Sequence, residues 1–166
     1  MGKFFRKHKK KIGYSILLAL IVIQFIRPEK NSGNADAATD ITHFVAVSPE
    51  VKTILQTSCY DCHSDHTEYP WYNNLQPVGW WLANHVNHGK RTLNFSKFNT
   101  YRISRKMDKL QAISDELNDD DMPLNSYLWI HHYAKLNDAQ KKTIMDWAQK
   151  NEDSLAKLYP DSVPKG

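Results

Sequence analysis

Two cysteines stand three residues apart in the run Cys59-Tyr60-Asp61-Cys62-His63, and the 166-residue chain has no others. That pattern constrains the fold more than composition does. It excludes a disulfide scaffold. On one helical turn, two thiols at this spacing face the same way, and the next residue projects an imidazole beside them. C-x-x-C-H is the attachment signature of c-type haem. The thiols reach vinyl groups on one porphyrin edge, and the imidazole of His63 reaches the iron. A small helical domain can then hold one covalent haem c without a large pocket. Three other readings compete. A zinc site using Cys59, Cys62 and His63 or His66 lacks a second well-spaced ligand pair. A thioredoxin-like pair needs a strand–helix context that this region does not offer. A disulfide closing so short a loop adds little stability.

A second axial ligand is expected where the task is electron transfer, and Met in that role raises the potential. Of four methionines, Met1 is at the wrong end, Met107 lies on an apolar helical stripe and Met145 lies off the inward face of its helix. Met122 stands in a loop, Asp119-Asp120-Asp121-Met122-Pro123-Leu124, where Pro123 restricts the backbone. Met122 is the candidate. The rival ligands are histidines: His85 and His88 at i, i+3, the adjacent His131 and His132, His43 near the N-terminal segment, and His66, too close to His63 to reach the opposite haem face. The aromatic run of Tyr69, Trp71, Tyr72, Trp80 and Trp81 reads as core that also walls the cofactor. The three aspartates before Met122 read as a solvated loop, with an acidic docking rim as the alternative.

The N-terminus carries Lys3, Arg6, Lys7, Lys9, Lys10 and Lys11 without an acid, followed by the uncharged stretch 12–26 (IGYSILLALIVIQFI). A basic region before an apolar one is an export signal. No cysteine follows it to support lipoprotein processing. The only small-x-small site, Ala35-Asp36-Ala37, lies well beyond Ile26, so an uncleaved anchor is favoured over a cleaved peptide. Fifteen helical residues span about 22 Å, short of the roughly 30 Å hydrocarbon core, and snorkelling of Lys11 and Arg27 makes up part of the difference. The positive-inside rule keeps the basic end in the cytoplasm and places the rest outside.

The formal charge of +4 divides unevenly. Residues 1–30 hold eight Lys and Arg and one acid, giving +7, and residues 31–166 hold fourteen and seventeen, giving −3. The basicity belongs to the export signal. The working domain is mildly acidic, and no nucleic-acid partner is expected. Three segments follow: 1–30 as basic region and anchor helix, 31–40 (NSGNADAATD) as a flexible linker, and 41–166 as the haem-binding domain.

That domain reads as all-α, because no run alternates with period two. Ser48-Pro49-Glu50 starts a helix carrying Val51, Ile54 and Leu55. Pro77 starts another, with Trp80, Trp81, Leu82 and Val86 following and Gly89 as its stop. Ile103, Met107, Leu110, Ala112, Ile113 and Leu117 fall at helical spacing. Asn137 and Gln140 form a capping box before Ile144, Trp147 and Ala148. Residues 64–76 and 118–125 read as loops.

With these residues in place, the chain resembles a family of small bacterial haem-binding-domain proteins, membrane-anchored and cytochrome c-like. The similar segments are I-Q-F-I-R-P-E-K at 23–30, S-C-Y-D-C-H-S at 58–64, Y-P-W-Y at 69–72, Q-P-V-G-W-W-L at 76–82, L-N-F-S at 93–96, D-M-P-L at 121–124 and K-L-N-D-A-Q at 135–140. The resemblance implies a cytochrome c-like helical fold, covalent haem c on Cys59 and Cys62, His63 as proximal ligand and Met122 as the distal candidate. The expected function is a single-pass protein of the cytoplasmic membrane whose periplasmic haem domain passes single electrons to an unknown redox partner. No enzymatic activity is expected. A peroxidase-like enzyme using His85 or His131, and a haem sensor or interaction module, are the alternatives.

Overall fold

The computed structural model describes residues 2–163. Met1 and residues 164–166 lie outside the described residues, as do the side chains of residues 2–7, among them Lys3, Arg6 and Lys7 of the basic run. Seven helices form among the described residues: α1 (Gly2–Ile23), α2 (Pro49–Ser58), α3 (Tyr60–His63), α4 (Val78–Thr92), α5 (Ile103–Asn118), α6 (Asn125–Leu128) and α7 (Asp138–Leu158). Short 3-10 turns link several of them, and no strand forms among the described residues. The all-α expectation holds.

The starts follow from the sequence. Ser48 Oγ accepts the Val51 N–H at 3.2 Å, with Pro49 in the first turn of α2. Asn137 Oδ1 accepts the Gln140 N–H at 2.8 Å and Gln140 Oε1 accepts the Asn137 N–H at 3.0 Å, closing the capping box of α7. α5 and α7 make the most extensive helix pairing. Met107, Leu110 and Leu117 of α5, Ile144, Trp147 and Ala148 of α7, and Val51, Ile54 and Leu55 of α2 share one core. Each such side chain stabilises the fold by about 1.5–3 kcal/mol when fully buried. Trp147 Nε1–H completes the arrangement by donating to the Ala46 carbonyl at 2.9 Å.

Several expectations change. Trp71 and Trp81, read as core, are 76% and 45% exposed. α4 does not stop at Gly89 but runs on to Thr92. Gly89 serves close approach instead: a Cβ there would lie 2.6 Å from the Cys62 carbonyl oxygen, so its absence lets α4 pack on α3. The loop over 64–76 contains a 3-10 turn at Trp71–Asn74, and a Cβ on Gly79 would lie 2.3 Å from the Asn73 carbonyl oxygen. The stretch 12–26 is not one continuous helix, because α1 ends at Ile23. Its apolar helical part, 12–23, covers about 18 Å, and no helix among the described residues is long and apolar enough to cross a membrane.

Residues 31–40 are not a free linker. Their small polar side chains are hydrogen-bond partners of the domain. Asn31 Nδ2–H donates to the Ser64 carbonyl at 3.0 Å and to Thr67 Oγ1 at 2.9 Å. The Gly33 N–H donates to the Asp65 carbonyl at 2.7 Å. Ser96 Oγ–H donates to the Ala35 carbonyl at 2.9 Å, and Thr39 Oγ1–H to the Ser96 carbonyl at 2.6 Å. Asp65 also draws in α4 and the turn after it, with Lys90 at 3.1 Å, Lys97 at 3.6 Å and Asn94 Nδ2 at 2.9 Å.

The close approach at Gly89 is testable. Gly89→Ala is expected to lower stability by about 1–3 kcal/mol, the usual cost of overpacking, as read by chemical denaturation. Gly13→Ala is the control, since a Cβ at Gly13 meets nothing within 4 Å, and is expected to change little.

Candidate functional site

The site is built on the single turn of α3. Cys59 caps α2 through its N–H to the Leu55 carbonyl at 2.9 Å, and its own carbonyl accepts the N–H groups of Cys62 at 3.2 Å and His63 at 3.0 Å. One turn therefore carries both thiols and the imidazole. Both cysteines are free thiols. Burial, and then the neighbouring Cys62, push the Cys59 thiol up to about 12. Burial, and then Asp61, push Cys62 up to about 11. Among the described residues no three His, Cys, Asp or Glu side chains gather as a metal-binding group, so the cysteines lack the company that a structural zinc site needs.

His63 is oriented by the backbone. Its Nδ1 lies 3.1 Å from the Leu93 carbonyl oxygen. A carbonyl only accepts, so Nδ1 carries the proton and Nε2 keeps its lone pair free. Burial holds the His63 pKa below the ordinary value, against the raising effect of its backbone hydrogen bonds. Burial thus favours the neutral ring that an iron ligand needs.

The two residues between the cysteines are tied down in turn. Tyr60 stacks on Phe95 with centroids 5.1 Å apart and planes at 11°, and its hydroxyl donates to the Asp40 carboxylate at 3.0 Å. Asp40 is 1% exposed and also accepts from Thr42 N–H at 2.9 Å and Thr42 Oγ1–H at 2.7 Å. Phe95 also meets the edge of His63 at 6.3 Å. Asp61 accepts the Tyr127 hydroxyl at 2.7 Å and the Glu68 N–H at 3.1 Å. Tyr127 stacks on His131 at 4.3 Å, and His131 lies between the hydroxyls of Tyr72 at 2.6 Å and Tyr133 at 2.8 Å.

The Met122 loop returns to this turn. Asp120, at φ 61°, reverses the chain after α5 and pairs with Lys141, a conformation that Asp tolerates better than most residues. The N–H groups of Asp121 and Met122 both donate to the Glu116 carbonyl, at 3.0 and 3.3 Å. Met122 is half-buried, and Met107 is core, as expected. Three of the rival histidines have partners of their own. His85 Nδ1–H donates to the Trp81 carbonyl at 2.8 Å, His66 contacts Gly33 and Glu68, and His43 lies 3.4 Å from Asp36.

A cavity opens between α2, α3, α5 and the Met122 loop, with Leu55, Phe95, Ile113, Leu117 and Ile144 among its walls. A second carries Cys62, His85, His88 and Tyr127. The two share Cys59, His63, Met122 and Pro123, so they are two arms of one cleft. An apolar cleft with paired thiols, a free imidazole nitrogen and a thioether fits a haem.

The sequence profile of the haem-binding domain family matches residues 18–150. The chain belongs to the haem-binding domain family. No curated protein and no solved structure matches it. The match spans the C-x-x-C-H turn, the Leu93–Ser96 segment and the Met122 loop, and membership makes haem the cofactor. Sequence reasoning missed the Leu93 carbonyl, the Tyr60–Asp40 and Tyr127–Asp61 bonds and the place of Phe95. The similar segments S-C-Y-D-C-H-S at 58–64 and L-N-F-S at 93–96 contain Tyr60, Asp61, Leu93 and Phe95, but similarity names no contact.

Tyr60→Phe leaves the buried Asp40 carboxylate short of a donor. It is expected to cost about 1–3 kcal/mol in denaturant titrations, with haem still bound one to one.

Proposed function

We propose that this member of the haem-binding domain family is a monohaem c-type cytochrome, tethered to the cytoplasmic membrane by α1 and exchanging single electrons on the periplasmic side. The observation that carries the reading is one cleft with Cys59, Cys62, the free Nε2 of His63 and the thioether of Met122 on its walls. Cys59 and Cys62 hold the porphyrin as thioethers. His63 and Met122 would be the ligands to its iron. Bound haem supplies reversible one-electron exchange.

The remaining work falls to the chain. The Leu93 carbonyl fixes the tautomer and plane of His63. The apolar walls at Leu55, Ile113, Leu117 and Ile144 keep water from the site and disfavour added charge there, which raises the potential. A Met122 thioether bound to the iron would leave no open position for a peroxidase-like reaction. Of the candidates for acid–base work, His131 is engaged at both ring nitrogens by Tyr72 and Tyr133, while His85 bonds the Trp81 carbonyl through Nδ1 alone.

The membrane part of the reading is supported by α1 itself. Ile16, Leu17, Leu18, Ile21 and Val22 are all exposed, and a helix apolar on every face needs an apolar surrounding. Its basic start favours a cytoplasmic N-terminus.

Spectroscopy with redox titration tests the carrier reading. Ferric protein is expected to show the weak far-red band of His/Met haem, and Met122→Ala to abolish it and lower the potential. Rapid CO binding by the reduced wild type would mean an open iron and refute the carrier. Cys59→Ser with Cys62→Ser is expected to yield haem that acidified organic solvent extracts, where the wild type retains it.

A further inference from the structure

We propose that Trp71, Leu75, Val78 and Trp81 form a lipid-facing collar that seats the haem domain on the bilayer interface beside α1. The inference rests on the membrane reading above and adds a second contact to it. All four side chains are exposed: Trp71 by 76%, Leu75 by 50%, Val78 by 39% and Trp81 by 45%. An apolar surface of this kind on a soluble face marks an interaction site.

Its place in the fold identifies the occupant. The end of α1 is bonded to the segment these residues flank. Gln24 Oε1 accepts the Gln76 N–H at 2.9 Å, and Gln24 Nε2–H donates to the Gln76 carbonyl at 3.2 Å. Trp80 Nε1–H donates to the Ile26 carbonyl at 2.7 Å. No spacer separates the apolar helix from the collar. Phe25, 82% exposed, and Ile26 continue the apolar surface from one to the other. A bilayer that covers α1 to its last turn therefore meets the collar at the same depth.

Charge separates lipid from protein as the occupant. Residues 69–89 contain no Lys, Arg, Asp or Glu, in a chain that is 24% charged. Protein docking faces use charge to steer and register a partner, whereas Trp beside an apolar belt is characteristic of a membrane–water interface. The collar also accounts for an anchor that is short by itself. The apolar helix of about 18 Å falls well below a hydrocarbon core of about 30 Å, and a collar drawn to the interface allows the bilayer to thin around it at modest cost.

The test uses the full haem-loaded chain in phosphatidylcholine–phosphatidylglycerol vesicles containing a phospholipid with a photoactivatable diazirine near the headgroup end of one acyl chain. Adducts are mapped by mass spectrometry. The expected result is adducts in 71–81 as well as in α1. A variant with Trp71→Ser, Leu75→Ser and Trp81→Ser is expected to keep the haem spectrum and lose the 71–81 adducts to background. Adducts confined to α1 overturn the collar and leave the membrane reading standing. A chain that does not associate with the vesicles overturns both.

Discussion

The hydrogen bond from His63 Nδ1–H to the Leu93 carbonyl is the contact on which the site depends. Its net free energy is small, about 0.5–1.5 kcal/mol. Its effect on geometry is larger, because it decides which nitrogen faces the cleft and in which plane the ring lies. The acceptor exists because α4 ends at Thr92 and Leu93 turns extended, at φ −143° and ψ 129°. α4 can deliver that carbonyl only by running close to α3, and Gly89 permits the approach over the Cys62 carbonyl. A missing side chain on one helix thus sets the proton on a ring of another.

The two middle residues of the motif do more than set its spacing. Tyr60 reaches back to Asp40, and Asp61 receives Tyr127 from the late part of the chain. Neighbouring side chains therefore pin the turn to the segment before it and to the segment after it. Asp40 is buried, and an unpartnered carboxylate there would be costly. Three donors from Thr42 and Tyr60 make its burial tolerable. The aromatic stack of Tyr60 on Phe95 then carries this rigidity to the wall beside His63.

Most helices were legible in the sequence, because their causes are local. Ser48 before Pro49, and Asn137 with Gln140, are caps written within four residues. The periodic stripe from Ile103 to Leu117 needs no knowledge of its partners. Where the cause was distant, the reading failed. Gly89 looked like a helix stop, since nothing local says that a carbonyl of α3 will sit against it. Residues 31–40 looked like a linker by composition, because Ser64, Asp65, Thr67 and Ser96, which hold them, come much later in the chain. The C-x-x-C-H turn and Met122 were legible as chemistry. The Leu93 carbonyl was not, since every residue has a carbonyl and only the fold selects one.

The attachment of residues 31–40 has a mechanical consequence. Asn31 bonds the Ser64 carbonyl and Thr67, immediately after His63 in sequence, while Gln24 and Ile26 bond Gln76 and Trp80. The chain leaving α1 is thus joined to the domain at two places, 64–67 and 76–80, by contacts that a swivelling tether would have to break. A flexible linker would let a tethered carrier search a wide volume and meet partners in any orientation. A fixed stem gives up that reach. On the proposed function it presents the haem edge at a constant attitude to the membrane, so partners must approach by diffusing in the membrane plane or by docking from the periplasm. On the same proposal, the +7 of residues 1–30 would orient the stem, and the run 69–89, which has no Lys, Arg, Asp or Glu, would add no ionised side chain of its own to an apolar interface.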